Sequence, residues 1–173
     1  MKKSLLLLPF LMLALFGCEK LNELLTFEIA HSDNIQIPAS GLLNTPLISP
    51  VPVNMSAQES FKNNNTKADL VKDVSLSKLS LTITDPASET FDFLKSIKIY
   101  IGTDESDKVL LASLDNVPTG VSAINLVPSN AKLDKYIKAA SYTLYTEVAL
   151  RANVAHELTV RADSRFRVTA DPL

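Results

Sequence analysis

The chain has 173 residues, with 17 Lys and Arg against 19 Asp and Glu and a formal net charge of −2. That balance argues against nucleic acid or an anionic membrane surface as the partner. With 4 glycines against 9 prolines and no tryptophan, glycine-cradled phosphate loops are disfavoured, and the prolines belong in loops and at strand edges.

Met1-Lys2-Lys3 leads into an apolar run from Ser4 to Leu15, which Phe16-Gly17-Cys18 closes. A cationic start, a short apolar core and a small residue before the cut are the parts of a secretory signal. The core from Leu5 to Gly17 is shorter than the ~20 residues a spanning helix needs, and Pro9 interrupts it. Leu15, small Gly17 and then Cys18 resemble a bacterial lipobox, and the resemblance covers the signal alone. It implies a diacylglycerol on the Cys18 sulfur, cleavage ahead of it by signal peptidase II, and residence in the cell envelope. The outer membrane is the expected site, on its periplasmic or its surface side. Each buried acyl methylene adds ~0.8 kcal/mol and two chains already give stable attachment. Cys18 is the only cysteine, so its acylation leaves no thiol for a disulfide, a nucleophile or a thiolate metal site.

Residues 1–17 are thus expected to be the signal peptide, 18–25 a tether, and 26–173 a single domain. In that domain Phe27, Ile29 and His31 alternate, then Ile35 and Ile37, as one strand with a bulge or a small hairpin. Pro38, Pro46, Pro50 and Pro52 confine residues 38–56 to edge strand or extended cover. Phe61 to Asn65 reads as a polar loop, and Thr66 as the cap of a short helix from Lys67 to Asp73. Leu79, Leu81 and Ile83 form a strand that Asp85-Pro86 stops, and Phe91, Phe93 and Leu94 should plug one end of the core. Ile97, Ile99 and Ile101 mark the next strand, Val109 to Ala112 a buried one, and Val121 to Val127 a weaker one. After Pro128-Ser129-Asn130, a helix with Leu133, Tyr136, Ile137 and Ala140 on one stripe should cover the open end of the sheets. Tyr142, Leu144, Thr146, Val148 and Leu150 share one parity, and so do Leu158, Val160, Ala162, Phe166, Val168 and Ala170. The two runs are expected to pair as a hairpin, with Glu147 opposite Arg161 and Arg151 opposite Glu157.

About seven strands, two short helical segments and no βα alternation predict an all-β fold: an antiparallel β-sandwich, immunoglobulin-like or similar. In such a sandwich successive connections alternate between ends. The loops 85–95, 114–120 and 152–156 should therefore share one, gathering Asp85, Glu89, Asp92, Asp115, Asn116, Asn153 and His156 as candidate binding residues.

No pattern marks a catalytic site. His31 and His156 have no ligand at metal-binding spacing in their own elements. Asp104-Glu105-Ser106-Asp107 lacks the alternate ligands and central glycine of a calcium loop. Ser75-Leu76-Ser77-Lys78 has a nucleophile's spacing but sits on a strand pattern instead of a helix start. Arg151, Arg161, Arg165 and Arg167 read as surface charges that guard the sheet edge. The expectation is a non-catalytic envelope lipoprotein without metal or cofactor, which binds or scaffolds an envelope protein or a glycan. The alternative is a carrier of lipid or another hydrophobic ligand, which requires a cavity between the sheets. A hydrolase working from the acidic loop end is the third reading.

Overall fold

The computed structural model describes residues 26–39, 49–53, 57–139 and 141–171. The signal segment, Cys18, the stretch 18–25, residues 40–48 and 54–56 of the expected wrapping, Ala140 of the helical stripe, and residues 172–173 lie outside the described residues.

Among the described residues there are eight strands: β1 (Thr26–Ile37), β2 (Ser49–Val53), β3 (Val71–Asp85), β4 (Leu94–Gly102), β5 (Val109–Leu114), β6 (Ala123–Pro128), β7 (Tyr142–Leu150) and β8 (Leu158–Ala170). They form one sheet in the order β1-β8-β3-β6-β5-β4-β7-β2, antiparallel throughout. The protein is all-β, with one strand beyond the seven or so that alternation marks. The additional strand, β2, ends the sheet order as its prolines require, because proline cannot donate to a ladder on both sides.

The sheet curls on itself, and β6 makes the corner. Residues 123–126 pair with Leu79 to Thr82 of β3, whereas Val127 and Pro128 pair with Ser113 and Ala112 of β5. The two halves, β1-β8-β3 and β5-β4-β7-β2, face each other across one buried cluster. Val74, Leu79 and Phe166 enter it from the first half, and Ile99, Ile101 and Leu111 from the second. Burying each such side chain is worth about 1.5–3 kcal/mol.

Strand β3 changes its inward parity halfway. Val74 and Leu76 are buried, then Leu79, Leu81 and Ile83, because a bulge interrupts its pairing with β8 between Leu76 and Lys78; another lies between Ile83 and Asp85. The residues left out of the ladder, Ser77 and Thr84, donate their hydroxyls to β8 carbonyls, to Arg165 O at 3.0 Å and Thr159 O at 3.1 Å. Ser77 therefore belongs to the sheet's hydrogen bonding. β1, by contrast, pairs with β8 without a register shift from Thr26 to Ile37, so the expected bulge or hairpin is absent from it.

Helix α1 (Ala57–Asn63) replaces part of the loop expected at 61–65. Ala57 and Phe61, one turn apart, are buried, and the Phe61 ring meets Phe27 edge-on at 6.3 Å. The helix stops because Asn65 takes a left-handed φ of 52°, while Asn65 N–H and Thr66 N–H donate back to Lys62 O and Phe61 O. Thr66 thus closes this helix instead of capping a later one. The helix expected over Lys67 to Asp73 is a single 3₁₀ turn, Ala68–Leu70, after which β3 begins at Val71. Helix α2 (Asp134–Lys138) is shorter than expected but buries Leu133, Tyr136 and Ile137, and Leu133 N–H donates to Val74 O at 2.9 Å.

The expected β7–β8 hairpin does not form. β7 pairs with β4 and β2, β8 pairs with β1 and β3, and residues 151–157 cross between the halves. Glu147 stands opposite Lys98, and Arg161 opposite Asn34 and Thr82. The shared parity has another cause: both strands turn their even residues toward the same core from opposite sides.

Candidate functional site

The two ends of the curled sheet differ. At one, helix α2 lies against β3, and β1 begins beside the end of β8 with Thr26 opposite Thr169. At the other, the connections β3–β4, β5–β6 and β7–β8 come together through main-chain hydrogen bonds. Phe91 N–H donates to Val121 O at 2.8 Å, Val117 N–H to Lys95 O at 3.1 Å, and Arg151 N–H to Phe93 O at 2.7 Å. Two side chains tighten the junction: Asp92 Oδ1 accepts Gly120 N–H at 2.5 Å, and Arg151 Nη2 donates to Val117 O at 2.7 Å. Gly120 holds a φ of 71°, where a Cβ is strained, so the turn that presents this N–H requires glycine.

Beside this junction an apolar cleft of about 230 Å³ opens between the halves. Ile35 and Ile37 of β1, Ile97 of β4, Val148 and Leu150 of β7, and Phe93 are among its lining residues. It lies where the ends of the sheet order approach; among the described residues β2 pairs with residues 142–146 of β7, next to the cleft-lining Val148 and Leu150. Ile35, Ile37, Phe93, Val148 and Leu150 are half-buried, whereas inward residues away from the cleft, such as Ile101 and Val168, are closed off. A dry cavity of about 150 Å³ already accommodates benzene, so this cleft has room for a larger apolar group.

A second cleft, of about 190 Å³, lies on the loops. Glu89, Asp92, Asn153 and His156, four of the expected binding residues, line it together with Phe93 and Leu158. Asp85, at the end of β3, and Asp115 and Asn116, in the β5–β6 connection, are exposed and line neither cleft. The apolar lining Ile35, Ile37, Val148 and Leu150 was not foreseen as a site, because each follows its strand's inward parity and so reads as core.

Farther down the same seam, β1 turns His31 and Asp33 inward, with Nε2 2.6 Å from Oδ2. Burial, with the Asp33 charge nearby, pushes the Tyr142 phenol up. Among the described residues no three His, Cys, Asp or Glu side chains are grouped to hold a metal, and no helix is long and apolar enough to cross a membrane.

No family model and no curated protein matches the chain. Among solved structures it is similar to Desmodium yellow mottle tymovirus at 13% identity, covering 86% of this chain and 90% of that one with a TM-score of 0.32. It is also similar to the empty head of turnip yellow mosaic virus at 9% identity, covering 85% and 84%, with a TM-score of 0.28. Scores this low transfer nothing from those proteins to this one.

Proposed function

We propose that the protein is a lipid-anchored, non-catalytic binding module of a bacterial cell envelope, and that it takes up the apolar part of a ligand between its sheet halves. The observation that carries this reading is the apolar cleft of about 230 Å³ at the loop end. Filled cores leave few voids larger than a water molecule. A solvent-open gap walled by half-buried Ile, Val, Leu and Phe leaves apolar surface wet, and an apolar ligand removes that cost at about 25 cal/mol per Å². Of the two binding functions the sequence allows, carriage of a hydrophobic ligand is the one this cleft supports.

The chain's direction agrees with an anchor at Cys18. β1 starts at the α2 end, so a tether of residues 19–25, extending at most ~25 Å, leads from a lipidated Cys18 to that end. The cleft and the three loops then face away from the outer membrane.

The chain from Glu19 to Leu173 contains all the described strands and the buried cluster they form, and it serves for the test. Fluorescence of the neutral probe N-phenyl-1-naphthylamine should rise on binding. Val148→Phe, which fills the cleft, should weaken that binding at least tenfold while holding the thermal midpoint. Undiminished binding by a folded Val148→Phe variant would move the ligand elsewhere.

A further inference from the structure

The apolar cleft and the polar loop cleft are not separate features, for Phe93 borders both. Its main chain is pinned where they meet, since Phe93 O accepts Arg151 N–H at 2.7 Å and Ala152 N–H at 3.4 Å. Its ring stands 6.0 Å from that of Phe91, which lines the apolar side only. An apolar compartment of about 230 Å³ thus adjoins one of about 190 Å³ that carries polar and apolar groups in similar measure, with Phe93 common to both. One molecule with a chain at one end and a head at the other can occupy both.

The polar compartment also has a sign. Glu89 and Asp92 line it, and among the described residues neither a lysine nor an arginine does. The guanidinium of Arg151, in the same loop as Asn153, is bonded to Val117 O, and Arg151 is not among the lining residues. Thr90 and Asn153 add neutral polar groups, and among the described residues His156 is the one basic side chain on the rim. Carboxylates favour a cationic, hydrogen-bond-donating group and disfavour a carboxylate or phosphate.

We infer that the ligand is an amphiphile with a single apolar chain and an ammonium-bearing head, the chain lying beside Val148 and Ile37 and the ammonium between Glu89 and Asp92. This rests on the apolar cleft being the binding site and adds the class of molecule. Electrostatic complementarity at the rim selects among heads, and the apolar cleft supplies binding common to all of them.

The test compares decylamine, decanol and decanoate, each below its micelle-forming concentration, as competitors of the naphthylamine probe on the chain from Glu19 to Leu173. Decylamine should bind at least tenfold more tightly than decanoate, with decanol between them. Glu89→Gln with Asp92→Asn should weaken decylamine about tenfold and leave decanol unchanged. The asparagine keeps an oxygen to accept Gly120 N–H, and Glu89→Gln alone should give part of the effect should the double variant alter the turn. Equal affinity for all three, or tighter decanoate, overturns the ammonium head and leaves the apolar cleft standing. Failure of all three to compete overturns both.

Discussion

Lys135 Nζ lies 2.5 Å from Asp107 Oδ2 and joins helix α2 to the turn between β4 and β5. Asp107 also accepts from Thr103 N–H and Oγ1–H through its carboxylate, and from Tyr136 O–H through its main-chain carbonyl. The bonds to its carboxylate, from Lys135 first and then from Thr103 and Asp104 N–H, hold the Asp107 carboxyl well below the usual carboxylate range. A depressed folded value means that the contribution is complete above the unfolded carboxylate value of ~4 and is lost as pH falls through the folded value. Thermal midpoints of the protein and of Asp107→Asn should therefore differ at neutral pH and converge as the solution is acidified below about pH 4. A gap that stays constant to the lowest pH at which the fold survives would mean that charge plays no part in the contact.

Tyr142 gives the opposite sign at the alkaline side. Burial, and secondarily the charge of Asp33, raises its phenol above the ordinary tyrosine value, so its neutral form is favoured in the fold. Its contribution is complete below the unfolded value of ~10 and declines as pH rises beyond it. The protein should lose thermal stability above about pH 10 more steeply than Tyr142→Phe. Parallel alkaline profiles would contradict this.

Gly102 ends β4 where the Asp107 turn folds back, and a Cβ there would lie 2.6 Å from Asp104 O, a main-chain atom. Gly102→Ala should cost about 1–3 kcal/mol in denaturant unfolding, as overpacking does. Phe166→Ala, by contrast, empties a site that is 1% exposed and should cost about 3–5 kcal/mol. A smaller loss at Phe166 than at Gly102 would reverse this ranking.

The anchor is tested apart from the fold. In a Gram-negative host fed an alkyne-tagged fatty acid, the protein should take up the label, and Cys18→Ala should not. Label retained by the variant would exclude Cys18 as the acylated residue.

The sequence is informative about faces and poor at neighbours, and the reason lies in the period of a strand. Alternation from Leu144 to Leu150 and from Leu158 to Ala170 identifies the inward residues, yet the same parity fits a hydrogen-bonded hairpin and two strands facing each other across a core. The second arrangement is the one observed, so the pairing of Glu147 with Arg161 fails while the inward faces hold. Thr66 is a similar case: its spacing to Asp69 suits a helix start, but burial of Phe61 and the left-handed Asn65 make it the end of α1. The polar loop cleft was legible because connections in an antiparallel sandwich alternate ends, which brings Glu89, Asp92, Asn153 and His156 together. The apolar cleft was not, because Ile37 and Val148 differ from core residues only in being half-buried, and no local pattern encodes that.

The most direct measurement of the central claim is a titration of the methyl-labelled chain from Glu19 to Leu173 with decanol, followed by nuclear magnetic resonance. Methyl signals of Ile35, Ile37, Ile97 and Val148, all lining the cleft, should shift together and saturate, while those of Ile124 and Val168, buried elsewhere in the core, stay in place. Cleft methyls that do not move, or shifts spread equally to Ile124 and Val168, would contradict the account.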